Sequence, residues 1–110
     1  MSNTDLSYTT GLMVGAMTNK KKIEESLYYS GVDKLDLLID IDLLLVEAKL
    51  TERQKEVVAL YFFNQYTQEE VSKVLGISQQ AVLDHIKKIK NKIQKVIEIW
   101  RIKDEYYNKR

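Results

Sequence analysis

The sequence predicts an all-α fold: a helix-turn-helix domain with an extended C-terminal helix and an additional N-terminal helical segment. Three observations carry this. Apolar residues recur at helical spacing through most of the second half of the chain. Two Thr-x-x-Glu/Gln patterns, Thr51 with Gln54 and Thr67 with Glu70, are capping boxes that open helices. Gly76-Ile77-Ser78 then joins two short helical stretches, with glycine able to end one and serine able to cap the next.

The 110 residues suffice for one small domain with a limited core, which a partner subunit would help to stabilise. Cysteine is absent and His85 is the sole histidine, so disulfides, thiolate metal sites and histidine-rich metal sites are excluded. No apolar run reaches membrane-spanning length, and Lys20-Lys21-Lys22 precedes no apolar signal core. A cytoplasmic, nucleoid-associated protein is expected, in the host cytoplasm if it is viral. The net charge of +1 conceals a polarity. Positions 51–110 hold 12 basic and 8 acidic residues, whereas the first 50 hold 5 basic and 8 acidic. The basic excess falls mainly on the last helix, where it suits phosphate contact.

In chain order, residues 1–18 are polar, carry Gly11 and Gly15, show no sustained period and read as a flexible arm. Their apolar patch, Leu12-Met13-Val14, could dock on a neighbouring subunit. Residues 19–49 read as N-terminal helices with a possible role in oligomerisation. One helix covers about 20–29 with Ile23 and Leu27 on one side, and Gly31 breaks it. The next covers 33–49. Asp33, Asp36, Asp40 and Glu47 fall near one face, and Leu35, Leu38, Ile39 and Val46 near another, with Leu37, Ile41 and Leu44 widening the apolar stripe. So much apolar surface needs covering, either within the domain or by a second subunit. Asp36, Asp40 and Asp42 could suggest a metal site, but no second cluster accompanies them, and a solvated helix face is the better reading.

From 50 to 93 the chain reads as the helix-turn-helix unit. Val57, Val58, Leu60, Tyr61 and Phe62 supply an apolar face, and a loop follows around Asn64 and Gln65. The first helix of the motif has Val71, Val74 and Leu75 as its apolar positions. The second has Val82, Ile86 and Ile89, and its seam continues through Ile93 and Val96 to Trp100. Residues 94–110 are then a helix extension and a fraying tail. A helix from Gln79 to Tyr107 would be about 43 Å long, and its seam could form a coiled coil or fold back on the domain.

A recognition helix enters the major groove with its first turns nearest the bases. The candidates for base contact are Gln79, Gln80, Leu83 and Asp84. Glutamine can pair with adenine through both amide atoms, leucine can touch a thymine methyl, and aspartate can accept from a cytosine amino group. The candidates for phosphate contact are Lys87, Lys88, Lys90 and Lys73, with Thr67 and Gln68 at a helix N-terminus. The rival readings are first-turn helix formers for the glutamines and plain solubility for the lysines. His85 and the aromatic residues Tyr28, Tyr29, Tyr61, Phe62, Phe63 and Tyr66 read as packing residues. No catalytic residue, cofactor or metal is expected, and the chain does not read as an enzyme.

Leu50, Thr51, Glu52, Arg53, Gln54, Thr67, Glu70, Gly76, Ile77 and Ser78 together resemble the fourth region of sigma-70-type factors, over roughly positions 50–93. In that family the region recognises the promoter −35 element. The resemblance implies DNA contact by residues between Gln79 and Lys88, with Arg53 near phosphate. Gln79 and Gln80 stand where the family often has basic residues. A full sigma factor has a further domain for core polymerase and DNA melting, for which this length leaves no room. The expectation is therefore a sequence-specific double-stranded DNA-binding protein, a small transcriptional regulator of phage or mobile-element type, acting as a homodimer or higher homo-oligomer. Two alternatives stand beside it. One is a phage small terminase subunit that recognises viral DNA for packaging with a large terminase subunit. The other is a protein-interaction module that binds RNA polymerase or a sigma factor.

Overall fold

The computed structural model describes residues 10–30 and 32–108. They form six helical segments: α1 (Thr10–Thr18), α2 (Lys20–Ser30), α3 (Val32–Glu47), α4 (Glu52–Val57, continued as a π-helix over Val58–Phe63), α5 (Gln68–Leu75) and α6 (Gln79–Asn108). The expected all-α class is observed. The readings for residues 1–9, the break at Gly31, and the side chains of Leu27, Tyr28, Tyr29, Asp33 and Leu35 lie outside what is described.

Both capping boxes form. The Gln54 amide donates to Thr51 Oγ1 at 3.1 Å, and the Thr51 amide donates to Gln54 Oε1 at 3.0 Å. The same exchange joins Thr67 and Glu70, at 3.1 and 2.8 Å. Each box satisfies two of the amides that a helix start leaves free. Gly76 closes α5 in the left-handed region at φ 68°, and the amides of Gly76 and Ile77 both donate to the Ser72 carbonyl. Ser78 Oγ accepts from the Ala81 amide at 3.0 Å and starts α6.

The core gathers on one long helix. Val82, Ile86, Ile89, Ile93, Val96 and Ile97 of α6 are buried, and α1, α3, α4 and α5 all pack against it. The seam expected from Val82 to Trp100 thus folds back on the domain. It is occupied within the chain, so it does not offer the coiled-coil surface that its spacing also allowed. Six buried positions of α6 meet the buried faces of α1, α3, α4 and α5, of which α1, α4 and α5 are individually too short to be stable.

Three further expectations are corrected. Where the sequence predicts a flexible arm over residues 1–18, residues 10–18 are helical, and Met13, Ala16 and Met17 are buried in the shared core. Those three residues have i, i+3, i+4 spacing, but a nine-residue helix without strong caps forms only where a tertiary surface receives it. In α3 the buried line is Leu38, Ile41 and Leu44, whereas Ile39 and Val46 are exposed together with Leu43. The helix is apolar around most of its circumference, so periodicity alone could not choose the inward arc. In α5, Val71 is buried and Leu75 half-buried, but Val74 faces out.

The π-helical stretch has no counterpart in the sequence reading. The Asn64 amide reaches back five residues to Ala59, and the Tyr66 amide reaches Leu60. Residues five apart stack in such a turn, so Val57 and Phe62 both point inward, at 0% and 1% exposure. Phe62 also meets Tyr61 edge to face, with centroids 5.0 Å apart.

An added Cβ at Gly76 would meet no heavy atom within 4 Å, so only its positive φ resists substitution. Gly76→Ala is expected to lower stability by about 1 kcal/mol, and Gly76→Asn by less. Urea unfolding of the three proteins checks the order.

Candidate nucleic-acid interface

The turn at Gly76 sets α5 and α6 against each other and leaves the first turns of α6 open. Taking 100° per residue from the buried seam at Val82, Ile86 and Ile89, the opposite face carries Gln80, Asp84, Lys87 and Asn91. All four are exposed. Leu83 is half-buried beside this face. Gln79 is exposed but turned toward the seam side, and Lys88 and Lys90 flank the face on opposite sides. Asn91 was missed in the sequence reading, although helical spacing from Gln80 through Asp84 and Lys87 reaches it directly.

Gln80 is not idle. Its side-chain Nε2 donates to Asp84 Oδ1 at 3.2 Å. Pairing with adenine uses both the amide nitrogen and the amide oxygen, so Gln80 must leave Asp84 to do it. The exchange costs little, because an exposed neutral-to-carboxylate bond contributes on the order of 1 kcal/mol net. Asp84 also tempers the lysines around it. A phosphate approaching this turn meets Lys87 and Lys88 together with one carboxylate.

The α5 side is more acidic than its lysine suggests. Lys73 pairs with Glu69 at 3.2 Å, with both side chains exposed. Glu69 and Glu70 occupy the first turn, where they complement the positive end of the helix dipole. Thr67 is engaged in its capping box and Gln68 is half-buried. Arg53, on α4, pairs with Glu56 at 3.4 Å.

Lys92 belongs to the scaffold. Its Nζ donates to Gln54 Oε1 at 2.7 Å and approaches the Lys49 carbonyl at 3.4 Å. Gln54 is 4% exposed and is the one buried polar residue among those described. The capping box of α4 is thereby tied to the middle of α6, which fixes the tilt of that helix. Farther along, Trp100 Nε1 donates to Glu47 Oε1 at 2.9 Å, so Glu47 holds α6 to α3 rather than serving only a solvated face. His85 is half-buried and its Nδ1 has no hydrogen-bond partner, which fits a packing residue.

Among the described residues no group of three or more His, Asp or Glu side chains converges to hold a metal ion, and Asp36, Asp40 and Asp42 are no exception. No helix among them is long and apolar enough to cross a membrane. A groove of about 420 Å³ lies between the end of α3 and α4, lined by Leu45, Val46, Leu50, Val58 and Phe63 with Lys49 and Lys55.

Fold and surface together define a small helical domain of helix-turn-helix type. More particularly, residues 48–95 match the family model described as Sigma-70, region 4. The chain is also similar to UPF0122 proteins of bacteria. That of Pediococcus pentosaceus is 41% identical over 49 residues, which cover 44% of this chain and 43% of the relative. That of Caldanaerobacter subterraneus subsp. tengcongensis is 36% identical over 47 residues, covering 43% and 40%. A Streptococcus pneumoniae relative is 33% identical over 61 residues, covering 56% and 52%. The chain thus spans about half the length of the curated relatives it matches, or less. No solved structure matches it. The family-model match covers α4, α5 and the first half of α6. Nothing in these relatives' descriptions points to a phage or to DNA packaging.

If Lys92 and Gln54 act as a pair, Lys92→Met should cost about 1 kcal/mol and Gln54→Leu about 2 kcal/mol, because the second change also strands the Thr51 amide. The double variant should lose clearly less than the sum. Urea unfolding measures all three, and strictly additive losses would show that the contact carries no coupling.

Proposed function

We propose that the chain is a small regulatory protein that binds double-stranded DNA through its helix-turn-helix. The observation that carries this reading is the division of α6. Its inner side is a continuous buried seam from Val82 to Ile97, and its outer side, directly after the left-handed turn, carries Gln80, Asp84, Lys87 and Asn91. A helix so anchored presents a rigid polar face of a width that enters the major groove. In this reading Gln80, Leu83 and Asp84 meet base edges, with Gln79 at the margin of the contact on the seam side. Lys87, Lys88 and Lys90 meet phosphates, with Lys73, Thr67 and Gln68 across the turn. The similarity to the Sigma-70, region 4 model supports the same placement.

Residues 50–93 act as the DNA-reading unit, and the exposed apolar residues of α3 and the far end of α6 support self-association as its companion. Ile39, Leu43 and Val46 line the outer side of α3, and Ile99, Ile102 and Tyr106 are exposed on α6. Apolar surface of this kind on two helices suits a second copy better than solvent. A homodimer would set two recognition helices on neighbouring half-sites. No observation favours packaging over regulation.

Selection from a randomised duplex pool tests the reading. The wild-type protein should enrich a defined site. Gln80→Ala should relax preference at one base pair, with about 1–3 kcal/mol of discrimination lost there. Lys88→Ala should weaken binding to every sequence alike. Failure of the wild-type protein to bind duplex DNA at low salt would sink the proposal, and identical effects of the two changes would sink the division of roles.

A further inference from the structure

A basic patch outside the helix-turn-helix is carried to its edge by the N-terminal helices. Gln65 Nε2 donates to the Thr18 carbonyl at 2.6 Å. Lys20 Nζ lies 5.1 Å from the centroid of the Phe63 ring, within the range of a cation–π contact. These two contacts hold the end of α1 and the first turn of α2 against residues 63–65. That segment ends two residues before Thr67, the cap of α5. Gln65 itself is locked at φ 59°, and α1 is anchored by Met13 and Met17, both at 0% exposure. The patch is therefore fixed to the motif.

Lys20 is taken up by Phe63 and by Glu24, which it meets at 2.9 Å. Lys21 and Lys22 follow, about 1.5 and 3 Å further along the helix axis. Both are exposed, and neither has an ion pair among the described residues. In helix-turn-helix complexes the helix before the recognition helix crosses the DNA backbone, and here that helix is capped by Thr67, two residues after the segment that Thr18 and Lys20 touch. In the DNA-binding reading, Glu69 and Glu70 in the first turn of α5 weaken the phosphate contact that Thr67 and Gln68 make there. Lysines supplied from α2 meet that deficit.

We propose that Lys21 and Lys22 form a second phosphate-binding patch, gripping the DNA backbone beside the start of α5 and lengthening the footprint beyond the helix-turn-helix. This rests on the DNA-binding reading above. The patch lies outside residues 48–95, so the region-4 similarity does not supply it.

The test is the salt dependence of binding to a 30-base-pair duplex, followed by fluorescence anisotropy on the full chain. Each phosphate contact contributes about 0.9 to the slope of log K against log salt. Lys21→Ala/Lys22→Ala should reduce that slope by about 1.8, and Lys21→Arg/Lys22→Arg should retain it. Gln65→Ala, which frees the end of α1, should lose part of it while circular dichroism shows the fold intact. An alanine variant with the wild-type slope overturns this inference and leaves the DNA-binding reading standing. A wild-type chain that shows no salt-dependent binding overturns both.

Discussion

The burial of one side of α6 is the constraint on which the rest depends. Val82, Ile86, Ile89, Ile93, Val96 and Ile97 face inward along a single helix, and four other helices receive them. None of α1, α4 or α5 exceeds nine residues, and helices so short are marginal in water without tertiary contacts. They persist because α6 offers a continuous apolar surface. The same burial fixes which way the other side points. A one-residue rotation of α6 would swing its polar face by about 100°, so core packing and surface presentation are a single choice.

Polar contacts then set the tilt that apolar packing leaves adjustable. Lys92 reaches the buried oxygen of Gln54, which also closes the capping box of α4. Trp100 reaches Glu47. The two contacts lie along α6 and bind it to successive parts of the chain. Hydrogen bonds of this kind have strict geometry, whereas methyl contacts tolerate sliding. The face of α6 that carries Gln80, Asp84 and Lys87 is thereby held in one orientation.

The charge arrangement differs from a simple basic surface. Asp84 bonds Gln80 on the outer face, and Glu69 engages Lys73 on α5. In the DNA-binding reading proposed above, carboxylates within a cationic surface weaken indiscriminate attraction to phosphate and leave binding more dependent on a matching sequence. The lysines left without an ion pair among the described residues are spread over α6, the start of α2 and the turn after α3 at Lys49. The attractive field is consequently broad and shallow, in keeping with the small net charge of the chain.

The motif was legible because its signals are local. A capping box needs residues three apart, a left-handed turn needs one glycine, and a helix face needs only its period. Thr51, Thr67, Gly76, Ser78 and the seam from Val82 to Trp100 all belong to this class, and so does the exposure of Gln80 and Asp84. What only tertiary structure decided is of another kind. The ordering of residues 10–18 depended on a groove built by other helices, and the inward arc of α3 on which neighbours it met. The π-helical turn depended on bringing both Val57 and Phe62 into the core. The placement of Lys21 and Lys22 depended on a bond from Gln65 to Thr18, 47 residues apart in sequence. The sequence by itself determined the capped helices of the motif and the polar face of α6, because those follow from short-range stereochemistry. The tertiary structure decided what lies beside that face, because contacts between distant segments leave no periodic trace in the chain.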